Sequence, residues 1–165
     1  MITSISSIAV VGAGYMGGGI AQSLALTGLP VTIADVSAQA TAAAYERLLA
    51  EAQEFERTGL FDAGAAETIR ANLRTADSIE AAVANVDFIE EAVFESLEAK
   101  HDVLGRISAT AGPDAIIGSN TSTIPATPLA AAVENPERFL TVHFSNAAPF
   151  IPGVELVLVA CLSSC

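Results

Sequence analysis

Tryptophan is absent from this 165-residue chain, and lysine occurs once, at position 100. Basic side chains number seven against 19 acidic ones, for a formal net charge of −12. Such a balance repels phosphate backbones and anionic bilayers, which argues against nucleic-acid and membrane-surface partners. Cysteine is confined to Cys161 and Cys165 at the extreme C-terminus. With no further ligands nearby, the pair reads as reduced thiols of a cytoplasmic protein rather than a disulfide or a zinc site.

Charge is missing altogether before Asp35. A signal peptide needs a basic leading segment, yet the first basic residue is Arg47. A membrane-spanning helix fits poorly too, because Gly12, Gly14, Gly17, Gly18, Gly19, Gly28 and Pro30 cut the stretch into short elements. Gly14-x-x-x-Gly18 has the spacing of a membrane helix-packing motif, but buried parallel strands and helices are equally apolar.

What the chain does have is apolar bulk: 52% hydrophobic residues, 16% charged and a mean hydropathy of +0.50. That composition suits one folded domain with a real core. It also leaves enough apolar surface to expect self-association or a partner.

Hydrophobic patterning alternates between short apolar runs and helical periodicity. Ser7–Val11 reads as a buried strand, and a helix carrying Met16, Ile20 and Leu24 on one face ends at Gly28 and Pro30. Pro30–Asp35 reads as a second strand, making a strand–helix–strand unit whose crossover is right-handed. Ser37 caps a long helix through about Glu56, and Asp62 opens another through about Leu73. This hairpin, at about 37–75, is long for a plain crossover and is expected to project from the sheet. Strands at Val86–Glu90, Ala115–Gly118, Phe139–Phe144 and Val154–Ala160, a helix at Leu97–Thr110 and a polar turn at Ser119–Thr123 complete the pattern. Such alternation predicts an α/β, doubly wound, mostly parallel sheet with a helical hairpin inserted after the second strand.

Between the first strand and helix lies Gly12-Ala-Gly-Tyr-Met-Gly17, with Asp35 18 residues beyond Gly17. A lone G-x-G-x-x-G is weak evidence; here the strand, the helix and the downstream acid are all in place. The pattern is that of a Rossmann-type dinucleotide site. Gly12 permits a tight turn, Gly14 lets the backbone approach a pyrophosphate, and Gly17 lets helix and strand pack closely. Asp35 is expected to accept from the adenosine ribose hydroxyls and to repel a 2′-phosphate, which favours NAD over NADP. On its own, Asp35 could equally cap the next helix.

From the glycine loop onward the chain resembles the N-terminal NAD-binding domain of the 3-hydroxyacyl-CoA dehydrogenases. The resemblance covers almost the whole chain. It rests on Gly12–Ala21, on Glu91-Ala-Val-Phe-Glu95 with Lys100, on Ser119-Asn-Thr-Ser-Thr123, and on His143-Phe-Ser-Asn146 followed by Val154-Glu155. It implies NAD-dependent oxidation of a 3-hydroxyacyl-CoA to the 3-oxoacyl-CoA, with the hairpin contributing to acyl-CoA binding. His143 matches the catalytic histidine, Glu155 its partner carboxylate, and Ser122 the serine bonded to the substrate oxygen. Glu95, Lys100 and Asn146 match positions lining the cofactor and substrate cleft. An imidazole suits the role, since it can take the hydroxyl proton as hydride leaves.

Read singly, these residues have plainer roles. His143 would be a satisfied strand histidine, Ser119–Thr123 an ordinary turn, and Glu155 a solvent-facing strand residue. Lys100 would be a partner for Glu98 or Glu95, and His101 exposed helix surface. Two departures stand out. Ala147 and Ala148 follow Asn146 where the family has proline next, and the tail at 161–165 does not resemble the family's continuation into a C-terminal helical domain. The expected organisation is an NAD-binding domain over 1–160 without that substrate and dimerisation domain, so turnover by this chain is expected to be impaired. Two other readings stay open: a non-catalytic, self-associating NAD-binding module, and a dehydrogenase of another 3-hydroxy substrate such as a hydroxy acid or carnitine. An NADP-dependent acid reductase is disfavoured by Asp35.

Overall fold

The structure, a computed structural model, describes residues 4–145, 148–151 and 153–159. It opens with β1 (Ile8–Val11), α1 (Tyr15–Ala25) and β2 (Val31–Ala34). All four β1 residues are buried, Ile8 and Val10 in one core cluster and Ala9 and Val11 in the other. Alternate strand residues point to opposite faces, so a strand covered on both sides is an unbroken apolar run. Gly28, at φ +86°, turns the chain out of α1 in the left-handed conformation that favours glycine.

The hairpin comprises α2 (Ala38–Arg57) and α3 (Ala65–Asn72). Ser37 caps α2, its Oγ accepting from the Ala40 amide at 3.1 Å. The second helix starts three residues later than the position of Asp62 suggests. Gly64 takes φ +90°, and the Glu56 carboxylate accepts from the amides of Gly64 and Ala66 at 3.1 and 2.9 Å. Nor does the hairpin simply project from the sheet. Ala44, Leu48, Leu49 and Ala52 of α2 and Ile69 of α3 lie in the core, leaving Leu60 at the tip exposed.

Beyond the hairpin come β3 (Leu73–Thr75), α4 (Ile79–Val83), β4 (Phe88–Glu91), α5 (Leu97–Thr110) and β5 (Ile116–Ser119). Then follow α6 (Ala126–Ala130), a 3-10 turn at Pro136–Arg138, β6 (Phe139–Phe144) and β7 (Val154–Leu158). The described strands form one sheet in the order β3-β2-β1-β4-β5-β6-β7. Every neighbouring pair is parallel except β6 and β7. The order reverses between β1 and β4, so a crevice opens outside the carboxyl ends of these strands, where open α/β sheets hold their ligands.

Between β6 and β7 the chain touches the hairpin. The Phe150 ring meets Phe55 edge-to-face at 4.9 Å, and Phe55 meets Phe61 likewise at 5.3 Å. Strand β7 is exposed along its whole length, with Leu156 65% and Leu158 78% accessible. Among the described residues, no helix is long and apolar enough to cross a membrane. Cys161, Cys165 and the rest of the tail lie outside the described residues.

Candidate active site

Parallel β1, β4, β5 and β6 place the glycine loop, the turns after β4 and β5, and the end of β6 at one edge of the sheet. The glycines there are fixed by space. Gly12 has φ +93°, and a Cβ on it would lie 2.7 Å from the Ala92 carbonyl oxygen. A Cβ at Gly17 would overlap the Gly12 carbonyl oxygen, so any side chain would force α1 away from the loop. Gly14 caps α1 without a side chain, and a Cβ there would meet nothing within 4 Å. Free amides of the first helical turn facing open space suit the pyrophosphate of a dinucleotide. Beside them a cleft of about 470 Å³ is lined by Asp35, Val36, Ile79, Val93, Phe94 and Val103.

Asp35 faces the loop. Its Oδ2 accepts from the Ala13 amide at 2.8 Å and its Oδ1 from the Val36 amide at 2.7 Å. The side-chain cap of α2 is Ser37, so helix capping does not account for Asp35.

The second group of residues centres on His143, near the end of β6. In the antiparallel register it faces Glu155, whose Oε2 lies 2.9 Å from Nδ1, while Ser122 Oγ lies 3.1 Å from Nε2. A carboxylate can only accept, so Nδ1 carries the proton in the neutral ring and Nε2 presents a lone pair. Ser122 Oγ–H can then donate to that lone pair. The His143 side chain is 25% exposed and that of Glu155 74%.

The turn bearing Ser122 is held from behind. Thr121 Oγ1, Thr123 Oγ1 and the amides of Ser122 and Thr123 all donate to Glu95 Oε1, at 2.7 to 3.1 Å. Burial pushes the Glu95 carboxyl up. Those hydrogen bonds and nearby Lys100 outweigh it and hold the group at about 2. Lys100 is fully buried, with Nζ 2.9 Å from Glu91 Oε1 and 3.5 Å from Glu95 Oε2. Glu91, also fully buried, accepts from Ser119 Oγ at 2.5 Å and from the Val93 amide at 2.7 Å. Asn120 joins the turn to β6, its Oδ1 accepting from the Phe144 amide at 2.9 Å.

The fold thus brings together His143, Glu155, Ser122, the loop glycines Gly12, Gly14 and Gly17, and Asp35 at one sheet edge, with Glu95 and Lys100 behind the serine turn. Asn146 lies outside the described residues. His101 is not plain helix surface, since its Nε2 lies 2.8 Å from the Pro128 carbonyl oxygen. Glu91 was legible only as a motif letter, because its partners Lys100 and Ser119 lie nine and 28 residues away. Glu90 had no signal at all. It is fully buried, and neither carboxyl oxygen has a hydrogen-bond partner among the described residues. Burial, reinforced by Glu91 and partly offset by Lys100, pushes it well above the usual carboxylate range.

Comparison with known proteins agrees with this geometry. The family model for the 3-hydroxyacyl-CoA dehydrogenase NAD-binding domain matches residues 7–161. A 3-hydroxyadipyl-CoA dehydrogenase of Escherichia coli (strain K12) is 34% identical over 157 residues, covering 95% of this chain and 33% of the relative. A fatty acid oxidation complex subunit alpha of Pseudomonas syringae pv. syringae (strain B728a) is 37% identical, covering 93% of this chain and 21% of the relative. Among solved structures, an (S)-3-hydroxybutyryl-CoA dehydrogenase from Ralstonia eutropha superposes with a TM-score of 0.84 at 32% identity, covering 93% of this chain and 54% of that one. The chain therefore spans a fifth to a third of these curated relatives' length. From the glycine loop to β7, it belongs to the NAD-binding domain family of the 3-hydroxyacyl-CoA dehydrogenases.

Proposed function

We propose that this chain forms the cofactor-binding and acid–base part of an NAD-dependent dehydrogenase that oxidises the 3-hydroxyl of a 3-hydroxyacyl-CoA to a 3-oxo group. The observation that carries the reading is the Ser122–His143–Glu155 relay, set at the same sheet edge as the glycine loop. NAD, when bound, supplies the nicotinamide that accepts the hydride. Gly12, Gly14 and Gly17 shape the phosphate cradle. Asp35 exchanges the Ala13 amide for ribose hydroxyls and disfavours a 2′-phosphate. Glu95 and Lys100 fix the serine turn at the cofactor side, where Asn146 is assigned with them by its place in the histidine motif.

In the chemical step, Ser122 Oγ–H donates to the substrate oxygen and His143 Nε2 takes the hydroxyl proton. The C3–H electron pair departs as hydride, and the carbon–oxygen double bond forms as the proton leaves. Glu155 stabilises the imidazolium so formed, and the reverse reduction returns the same proton. The relatives named for acyl-CoA substrates support an acyl-CoA as the partner. NAD and CoA thioesters are metabolites of the cell interior, which supports a cytoplasmic setting. The exposed apolar residues of β7 support self-association.

The test is to mix the chain with NAD and 3-hydroxybutyryl-CoA and to follow NADH absorbance. Turnover abolished by His143→Ala supports the enzyme. NADH binding without turnover by the chain supports a second reading, a cofactor-binding module.

A further inference from the structure

Ala13, the residue between the first two motif glycines, is gripped at both ends of its backbone. Asp35 holds its amide, and Arg47 of α2 holds its carbonyl, with Nη2 2.7 Å from the oxygen and 3.4 Å from that of Gly14. Glu51, one turn further along α2, steers the guanidinium, both its carboxyl oxygens accepting from Nη1 at 2.9 and 3.1 Å. The approach needs space that Gly18 leaves open. A Cβ there would lie 2.7 Å from Leu48 Cδ2 and 3.1 Å from Arg47 Nη2.

In a trans peptide, the carbonyl of one residue and the amide of the next point in opposite directions. Drawing the Ala13 oxygen toward Arg47 therefore turns the Gly14 N–H away from α2. Gly14 lines the cleft beside the loop, and apart from its chain neighbours nothing lies within 4 Å of a Cβ built there, so space is open on that residue. Once Asp35 turns to ribose hydroxyls, Arg47 is the side chain that still holds the Ala13 peptide. We infer that Arg47, oriented by Glu51, is a positioning residue that aims the Gly14 amide at the cofactor pyrophosphate. This rests on the reading of the cleft as an NAD site.

NADH fluorescence titrations of the whole chain test it, with adenosine competition as the phosphate-free control. Arg47→Met is expected to weaken NADH binding about tenfold while leaving adenosine binding unchanged, the loss of one charge-assisted hydrogen bond at a half-exposed site. Arg47→Lys, which keeps one donor nitrogen, restores part of the affinity, and Glu51→Gln loses part of it. The Gly14 amide nitrogen chemical shift in the ligand-free chain moves in Arg47→Met, because the preceding carbonyl loses its donor, while the shifts of β1 do not. NADH affinity unmoved in a folded Arg47→Met chain, or an equal loss for adenosine, overturns the inference alone. Failure of the unsubstituted chain to bind NADH overturns the cofactor reading and this inference with it.

Discussion

Glu155 stands directly across the β6–β7 ladder from His143, and its Oε2 is 2.9 Å from the ring Nδ1. Pairing through strand register fixes the contact by backbone hydrogen bonds rather than by two flexible side chains meeting on a surface. Glu155→Gln still accepts from Nδ1–H but no longer stabilises a charged ring. With the carboxylate 74% exposed, solvent screens part of that effect. Turnover should fall about tenfold with NADH affinity unchanged, whereas His143→Ala should cost on the order of 10²–10⁴-fold. Steady-state rates with a 3-hydroxyacyl-CoA, beside NADH titrations, check both.

Lys100 and Glu91 form an ion pair with no solvent exposure on either side chain. Removing one partner strands a buried charge, a loss of roughly 3–5 kcal/mol. Lys100→Met should therefore destabilise the chain by about that much in urea unfolding. Adding Glu91→Gln to it should recover part of the loss.

Glu90 should behave in the opposite way. Its folded-state affinity for a proton is raised, so its contribution to stability is fully present below the unfolded carboxyl range, near 4.5, and declines as pH rises above it. Replacing it with leucine removes an unpartnered buried acid, and Gly118 alongside leaves space for the side chain. Glu90→Leu should stabilise the chain by about 1–3 kcal/mol at neutral pH. The gain should shrink toward pH 4, as denaturant melts at several pH values will show.

Glu95 sets an acid limit on the serine turn. Its carboxyl is held at about 2, so the stability it contributes is present above the unfolded range and is lost as pH falls from about 4.5 toward 2. Hydrogen-exchange protection of the Ser122 and Thr123 amides, relative to their intrinsic rates at each pH, should fall across that window. Glu95→Gln should show the lower protection already at neutral pH, and unchanged protection in that variant would refute the role.

Legibility in the sequence followed the range of the interactions. The glycine loop, the α5 boundaries at Leu97 and Thr110, and β6 at Phe139–Phe144 depend on neighbours along the chain, and all were readable. Three-residue β3 and five-residue α4 are too short for periodicity to mark, though Ser78 caps α4 through the Ala81 amide. Position 91 shows why the rest was hidden. Two adjacent acids closing a strand look solvent-facing, yet both are fully buried, one paired with a lysine nine residues on and the other with no partner among the described residues. Arg47 was equally silent, because its contact with Ala13 spans 34 residues.

The aromatic contact between Phe150 and Phe55 ties together two parts with different duties. Phe150 sits on the stretch that connects the histidine to its carboxylate, and Phe55 belongs to the long helix that leads to the exposed tip. Force applied at that tip is thus passed through a ring-on-ring joint to the segment bridging the proton-handling pair. The helical arm and the reaction chemistry are mechanically joined through the Phe150 ring, which also lies 6.5 Å from that of Phe61.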